Sequence, residues 1–117
     1  MIEQVDLVGS WTLVSIEVIG ENPHGRPAPF GRKPQGVLHY TAEGRMAAIL
    51  QDGERPPMPR GRQGASDAEL AETVRGFSAY AGTFEILPGR IVHHVDFNSY
   101  PNDVGTDYER VAHFDRD

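Results

Sequence analysis

The sequence predicts an all-β fold, an antiparallel barrel of about six strands with one short helix, and three observations carry that expectation. Short segments rich in β-branched and aromatic residues recur along the chain, divided by turns and loops full of glycine and proline. A clear helix signal occurs in a single stretch, at Ser66-Asp67-Ala68-Glu69. Most successive strand segments have no helix between them, so the alternation that marks a parallel sheet is missing.

Length and composition set the frame. A chain of 117 residues is read as one domain, 1–117. At this size roughly two-thirds of the unfolded surface is buried on folding, enough for stability without disulfides or a structural metal. The chain has no cysteine, which excludes thiol catalysis and thiolate metal sites and fits a reducing compartment. Residues Met1 to Asp6 contain no basic segment followed by an apolar one, and the longest fully apolar run is Met46 to Leu50. Neither a leader nor a membrane span is therefore expected, and cytoplasm is the expected compartment.

A net charge of −6 disfavours nucleic acid and anionic membranes as partners. Residues 26–62 nevertheless hold seven basic groups against three acidic ones. No aromatic residues alternate with these arginines as a platform for bases, so the segment is read as solvated loop surface.

Taken in order, Ser10 to Val18 reads as the first strand, closing at Gly20. Residues 20–34, with four prolines and three glycines, form a long loop. Gly36 to Thr41 and Arg45 to Gln51 flank Ala42-Glu43-Gly44 as a hairpin. Asp52 to Ala65 is a second loop. It ends at Ser66, whose hydroxyl and the Glu69 carboxylate each satisfy an amide of the first helical turn. A helix over 66–78 follows, with Leu70, Val74 and Phe77 on one narrow stripe facing inward across a mouth of the barrel. Tyr80 to Leu87, the turn Pro88-Gly89 and Arg90 to Asn98 make a second hairpin. The connection Tyr100 to Gly105 leads to a last strand, Thr106 to Phe114, and a turn is expected at 115–117.

Several blocks together resemble the bacterial lipocalin-like domain family. Gly9-Ser10-Trp11 looks like the G-x-W opening of lipocalins, where the tryptophan closes one end of the barrel. LVGSWTLVS (7–15), GVLHYTAEGRMAA (36–48), YAGTFEI (80–86) and VHHV followed by PNDVGTDYER (92–110) extend the likeness along nearly the whole chain. The resemblance implies a lipocalin-like antiparallel barrel around an apolar cavity, in a family whose members mostly lack an established activity. Such domains usually continue for two or more strands beyond the point where this chain stops.

Strand alternation selects the polar side chains that would face the cavity. In Arg90 to Asn98, His93 shares a face with Ile91, Val95 and Phe97, while His94 lies with Asp96 and Asn98. Tyr80 shares a face with Gly82, Phe84 and Ile86. Arg110 shares one with Tyr108, Ala112 and Phe114. Tyr80, His93, Tyr108 and Arg110 are thus the expected ligand-binding residues, suited to orient a carbonyl or carboxylate or to move protons. Simpler roles compete. His93 fits a buried histidine bonded to a neighbour, and Arg110 fits a cation–π partner of Trp11, which leaves Tyr80 the least constrained.

A metal site from His39, His93 or His94 and His113 lacks any ligand spacing to support it, so no metal or cofactor is expected. Ser66 and Ser99 have no evident base, and Gly61-Arg62-Gln63-Gly64 lacks the lysine of a phosphate loop.

The expected function is binding of a small hydrophobic metabolite. The alternative is a cofactor-independent cyclase or isomerase acting on a polyketide- or terpenoid-like substrate, with His93 and Tyr80 moving protons. Six strands are fewer than the roughly eight that enclose a ligand-sized lumen, so the barrel is expected to be incomplete and the chain to pair with a second copy through its edge strands.

Overall fold

The strand segments lie side by side in one sheet, in chain order. The computed structural model describes residues 3–14 and 30–111. It places β1 at Gly9–Thr12, β2 at Pro34–Tyr40, β3 at Arg45–Asp52, β4 at Phe77–Leu87, β5 at Arg90–Asn98 and β6 at Asp107–Arg110. Each strand is antiparallel to the next. Among the described residues β1 and β6 do not pair, so the sheet stays open as an incomplete barrel. Both end strands are shorter than expected, with residues 13, 14, 106 and 111 outside the strands, and residues 15–18 and 112–114 of the expected strands and the turn at 115–117 lie outside the described residues.

Local chemistry explains the tight connections. The Gly44 amide donates to the Thr41 carbonyl at 3.1 Å and the Thr41 amide to the Arg45 carbonyl at 2.9 Å, closing the first hairpin. At the second, Gly89 takes φ +77°, a conformation glycine adopts without cost, beside the fixed φ of Pro88.

The helix is shorter and differently placed than its sequence suggests. α2 spans Asp67–Arg75. Its cap is as expected, the Glu69 amide donating to Ser66 Oγ at 3.2 Å and the Ser66 amide to Glu69 Oε1 at 3.1 Å. Its stripe does not face inward across a mouth: Leu70 and Val74 are 37% and 65% exposed, and α2 buries no residue. Phe77 belongs to β4, where its pairing with Gln51 outcompetes another helical turn. Arg55 fastens the region instead. Its guanidinium donates to the Thr73 carbonyl at 2.9 Å and to Gln51 Oε1 at 3.1 Å, and lies 5.1 Å from the Phe77 ring centre.

One face of the sheet carries the core: Leu7, Tyr40, Met46, Ala48, Tyr80, Phe84, Ile91 and Val95, with Trp11, Leu38, Ile86 and Tyr108 packed against them. Leu7 arrives on a four-residue helix, α1 (Gln4–Leu7), which the sequence reading did not anticipate. The Trp11 indole N–H donates to the Leu7 carbonyl at 2.7 Å, satisfying a helix-end acceptor and holding Leu7 in the core.

The β4–β5 ladder carries a bulge. Gly82 pairs with Val95 while Ala81 pairs with Phe97, so Asp96 is the extra residue. Side chains beyond it change face. Phe97, expected inside with His93 and Val95, is instead 70% exposed, and Asn98 shares the face of its register partner Tyr80.

Candidate functional site

β5 delivers His93 to the middle of the core face, and the neighbouring strands deliver its partners. Register places His93 between Phe84 on β4 and Tyr108 on β6. The ring is 1% exposed, and both its nitrogens are engaged. Tyr40 Oη lies 2.7 Å from Nε2 and Tyr80 Oη lies 2.9 Å from Nδ1. A neutral imidazole offers one donor and one acceptor, so one hydroxyl donates to the ring and the other accepts from it.

Electrostatics support the neutral form. Burial, then the positive charge of Arg110, then His94, lower the His93 pKa from 6.5 to about 4. Burial raises Tyr40 and Tyr80 above the ordinary phenol range, with Arg110 acting against it at both. At neutral pH the trio is therefore an uncharged hydrogen-bonded chain, Tyr40–His93–Tyr80, set in apolar surroundings.

The cluster continues toward β6. The Tyr108 ring meets Tyr80 edge-on at 4.9 Å between centres. Asn98 Nδ2 donates to Tyr108 Oη at 2.9 Å, and Tyr108 in turn donates its hydroxyl to Asp103. Burial first, and this bond to a carboxylate second, raise the Tyr108 pKa. Arg110 lays its guanidinium 4.8 Å from the centre of the Tyr108 ring. This corrects the expected pairing with Trp11: Arg110 and Tyr108 are two residues apart on one strand and share a face, so the stack forms locally.

The structure thus brings together all four residues singled out in the sequence. Tyr80, which looked least constrained, is held by His93. Tyr40, Asn98 and Asp103 were missed. Tyr40 was legible from alternation in β2, since it falls on the face of Leu38. Asn98 was not, because the bulge decides its side.

The other face is distinct in chemistry. His94 is bracketed by Asp107, 2.7 Å from Nδ1, and Glu85, 2.8 Å from Nε2. The bond to Asp107, then that to Glu85, raise its pKa. A shallow apolar groove of about 420 Å³ has an alanine floor, Ala47, Ala79 and Ala81, between Ile49 and the outward-turned Phe97. Among the described residues no group of three or more histidine, aspartate or glutamate side chains is arranged to hold a metal. No helix among them is long and apolar enough to cross a membrane.

Open antiparallel topology and the Gly9-Ser10-Trp11 opening define a lipocalin-like domain. The lipocalin-like domain family matches residues 8–117, and the chain belongs to it. It is 35% identical over 81 residues to the 4'-hydroxy-3'-methoxypropiophenone carrier protein ppsC of Aspergillus oryzae, a match covering 61% of this chain and 71% of that protein. No solved structure matches.

Proposed function

We propose that the chain binds a small hydrophobic molecule, aromatic and bearing oxygen, on the tyrosine-bearing face of its sheet. The observation that carries the reading is the row Tyr80, Tyr108, Asn98 and Arg110 on the mostly apolar core face, with Tyr80 held by His93 and Tyr108 held by Asn98 and Asp103. Apolar area supplies affinity in such a site, and a few oriented polar groups supply orientation. The similar Aspergillus protein is named as a carrier of an aromatic ketone, which supports the same ligand class for this chain.

The test is calorimetric titration with 4'-hydroxy-3'-methoxypropiophenone and with Nile red, a neutral apolar dye. Saturable binding of either, weakened several-fold by Tyr108→Ala and unchanged by Phe97→Ser, is the expected result. Binding lost only in Phe97→Ser moves the ligand to the alanine groove on the other face. No saturable binding of either probe overturns the reading.

A second reading, a cofactor-independent cyclase or isomerase, draws on the Tyr40–His93–Tyr80 chain. Protons can shift along it between two phenols through a neutral imidazole. Native mass spectrometry of the purified protein separates the two readings: a retained unmodified metabolite favours the carrier, and a rearranged product favours the enzyme.

A further inference from the structure

We infer that the ligand presents an ionised oxygen, a carboxylate or phenolate on an apolar body, and that Arg110 receives it. The inference rests on the binding reading above and narrows it.

Register puts Arg110 opposite Ile91, and Ile91 opposite Ile86, so the guanidinium belongs to the same sheet face as His93, Tyr108 and Tyr80. It is held there by the Tyr108 ring and by a hydrogen bond with Tyr80, contacts that engage part of its five N–H donors and leave others for an acceptor. Arg110 makes no ion pair among the described residues. It hydrogen-bonds Tyr80, which opposes the rise in that phenol's pKa, and makes a long bond of 3.4 Å to the carbonyl of Glu109, while the Glu109 carboxylate goes to Arg90. Arg32, Arg60, Arg75 and Arg90 each have a carboxylate partner, and Arg45, Arg55 and Arg62, which also lack one among the described residues, lie on other elements and loops away from the tyrosine cluster. An exposed cation positioned by two phenols, with no carboxylate partner among the described residues, offers an oriented donor set to an anion that docks its apolar body on the same face.

Asp103 is the carboxylate in contact with this cluster, and it is occupied in accepting the Tyr108 hydroxyl. An incoming anion therefore approaches from the Arg110 side of the Tyr108 ring. The chain as a whole is negatively charged, at −6, so any preference for an anionic ligand has to be local.

The experiment titrates 2-naphthoate and 2-acetylnaphthalene, which share a ring system and differ in charge, into the wild type, Arg110→Gln and Arg90→Gln. Both substitutions are at exposed positions and remove the same charge, and matched circular dichroism with matched urea midpoints checks that both variants are folded. The wild type is expected to favour naphthoate by about tenfold, and Arg110→Gln to lose that factor while holding 2-acetylnaphthalene within about twofold. Arg90→Gln is expected to change neither. Equal binding of both probes in the wild type, or an equal loss in the two variants, overturns the role of Arg110 and leaves the apolar binding reading intact. Failure of both probes to bind overturns that reading itself.

Discussion

The carbonyl oxygen of His94 lies 1.8 Å from the point that a Cβ on Gly82 would occupy. The bulged β5 backbone thus passes directly over this glycine, and only a residue without a side chain lets the two strands stay paired there. Gly82→Ala is expected to destabilise the fold by about 2–4 kcal/mol, because the obstacle is backbone and has no rotamer to yield. Urea unfolding measures it. A loss under about 0.5 kcal/mol would mean the bulge relocates freely.

The two adjacent histidines are expected to have pKa values shifted in opposite directions. Folded His93 takes up its proton only near pH 4, against 6.5 when unfolded. Its contribution to stability is fully present above 6.5 and is lost as pH falls toward 4, by about 3 kcal/mol across that window. His94 has a raised folded pKa. Its contribution is present below 6.5 and is lost as pH rises through the folded value. Imidazole carbon shifts followed by NMR separate the two, and a His93 that protonates before His94 as pH falls would contradict the buried Tyr40–His93–Tyr80 arrangement.

Ser66→Ala is expected to cost about 1 kcal/mol, the usual worth of an N-cap hydroxyl. Leu70→Ala and Val74→Ala are expected to cost about 0.5 kcal/mol or less, since both side chains are exposed. The bond between Ser66 and Glu69 also holds the Glu69 carboxyl below its ordinary pKa. That contribution is present above the unfolded pKa and fades as pH falls through the folded one. A thermal melt in which Leu70→Ala is more damaging than Ser66→Ala would show that α2 packs more deeply.

The open sheet leads us to propose self-association. β1 and β6 each present a second edge that pairs with no other strand among the described residues, and neither contains proline. Light scattering coupled to gel filtration is expected to report a dimer at micromolar concentration. A monomer whose β6 amides are protected from hydrogen exchange would show that the chain covers its own edge.

Alternation along single strands determined much of this protein without any coordinates. The strand order of hairpins, the capping box at Ser66, and the inward aim of Tyr80, His93 and Tyr108 all follow from period-two patterning and turn chemistry, which act between residues close in sequence. Tertiary structure alone decided the rest. The bulge that turned Phe97 out and Asn98 in depends on how β4 meets β5, and no property of residues 90–98 taken alone records it. The stripe of α2 was real but too narrow to win a place in the core once Phe77 paired into β4 and Arg55 tied the helix end to the sheet. The engagement of His93 by two tyrosines from different strands is likewise a fact of register. Its partners lie 53 and 13 residues away, and contacts at that separation are set by the packing of the whole sheet.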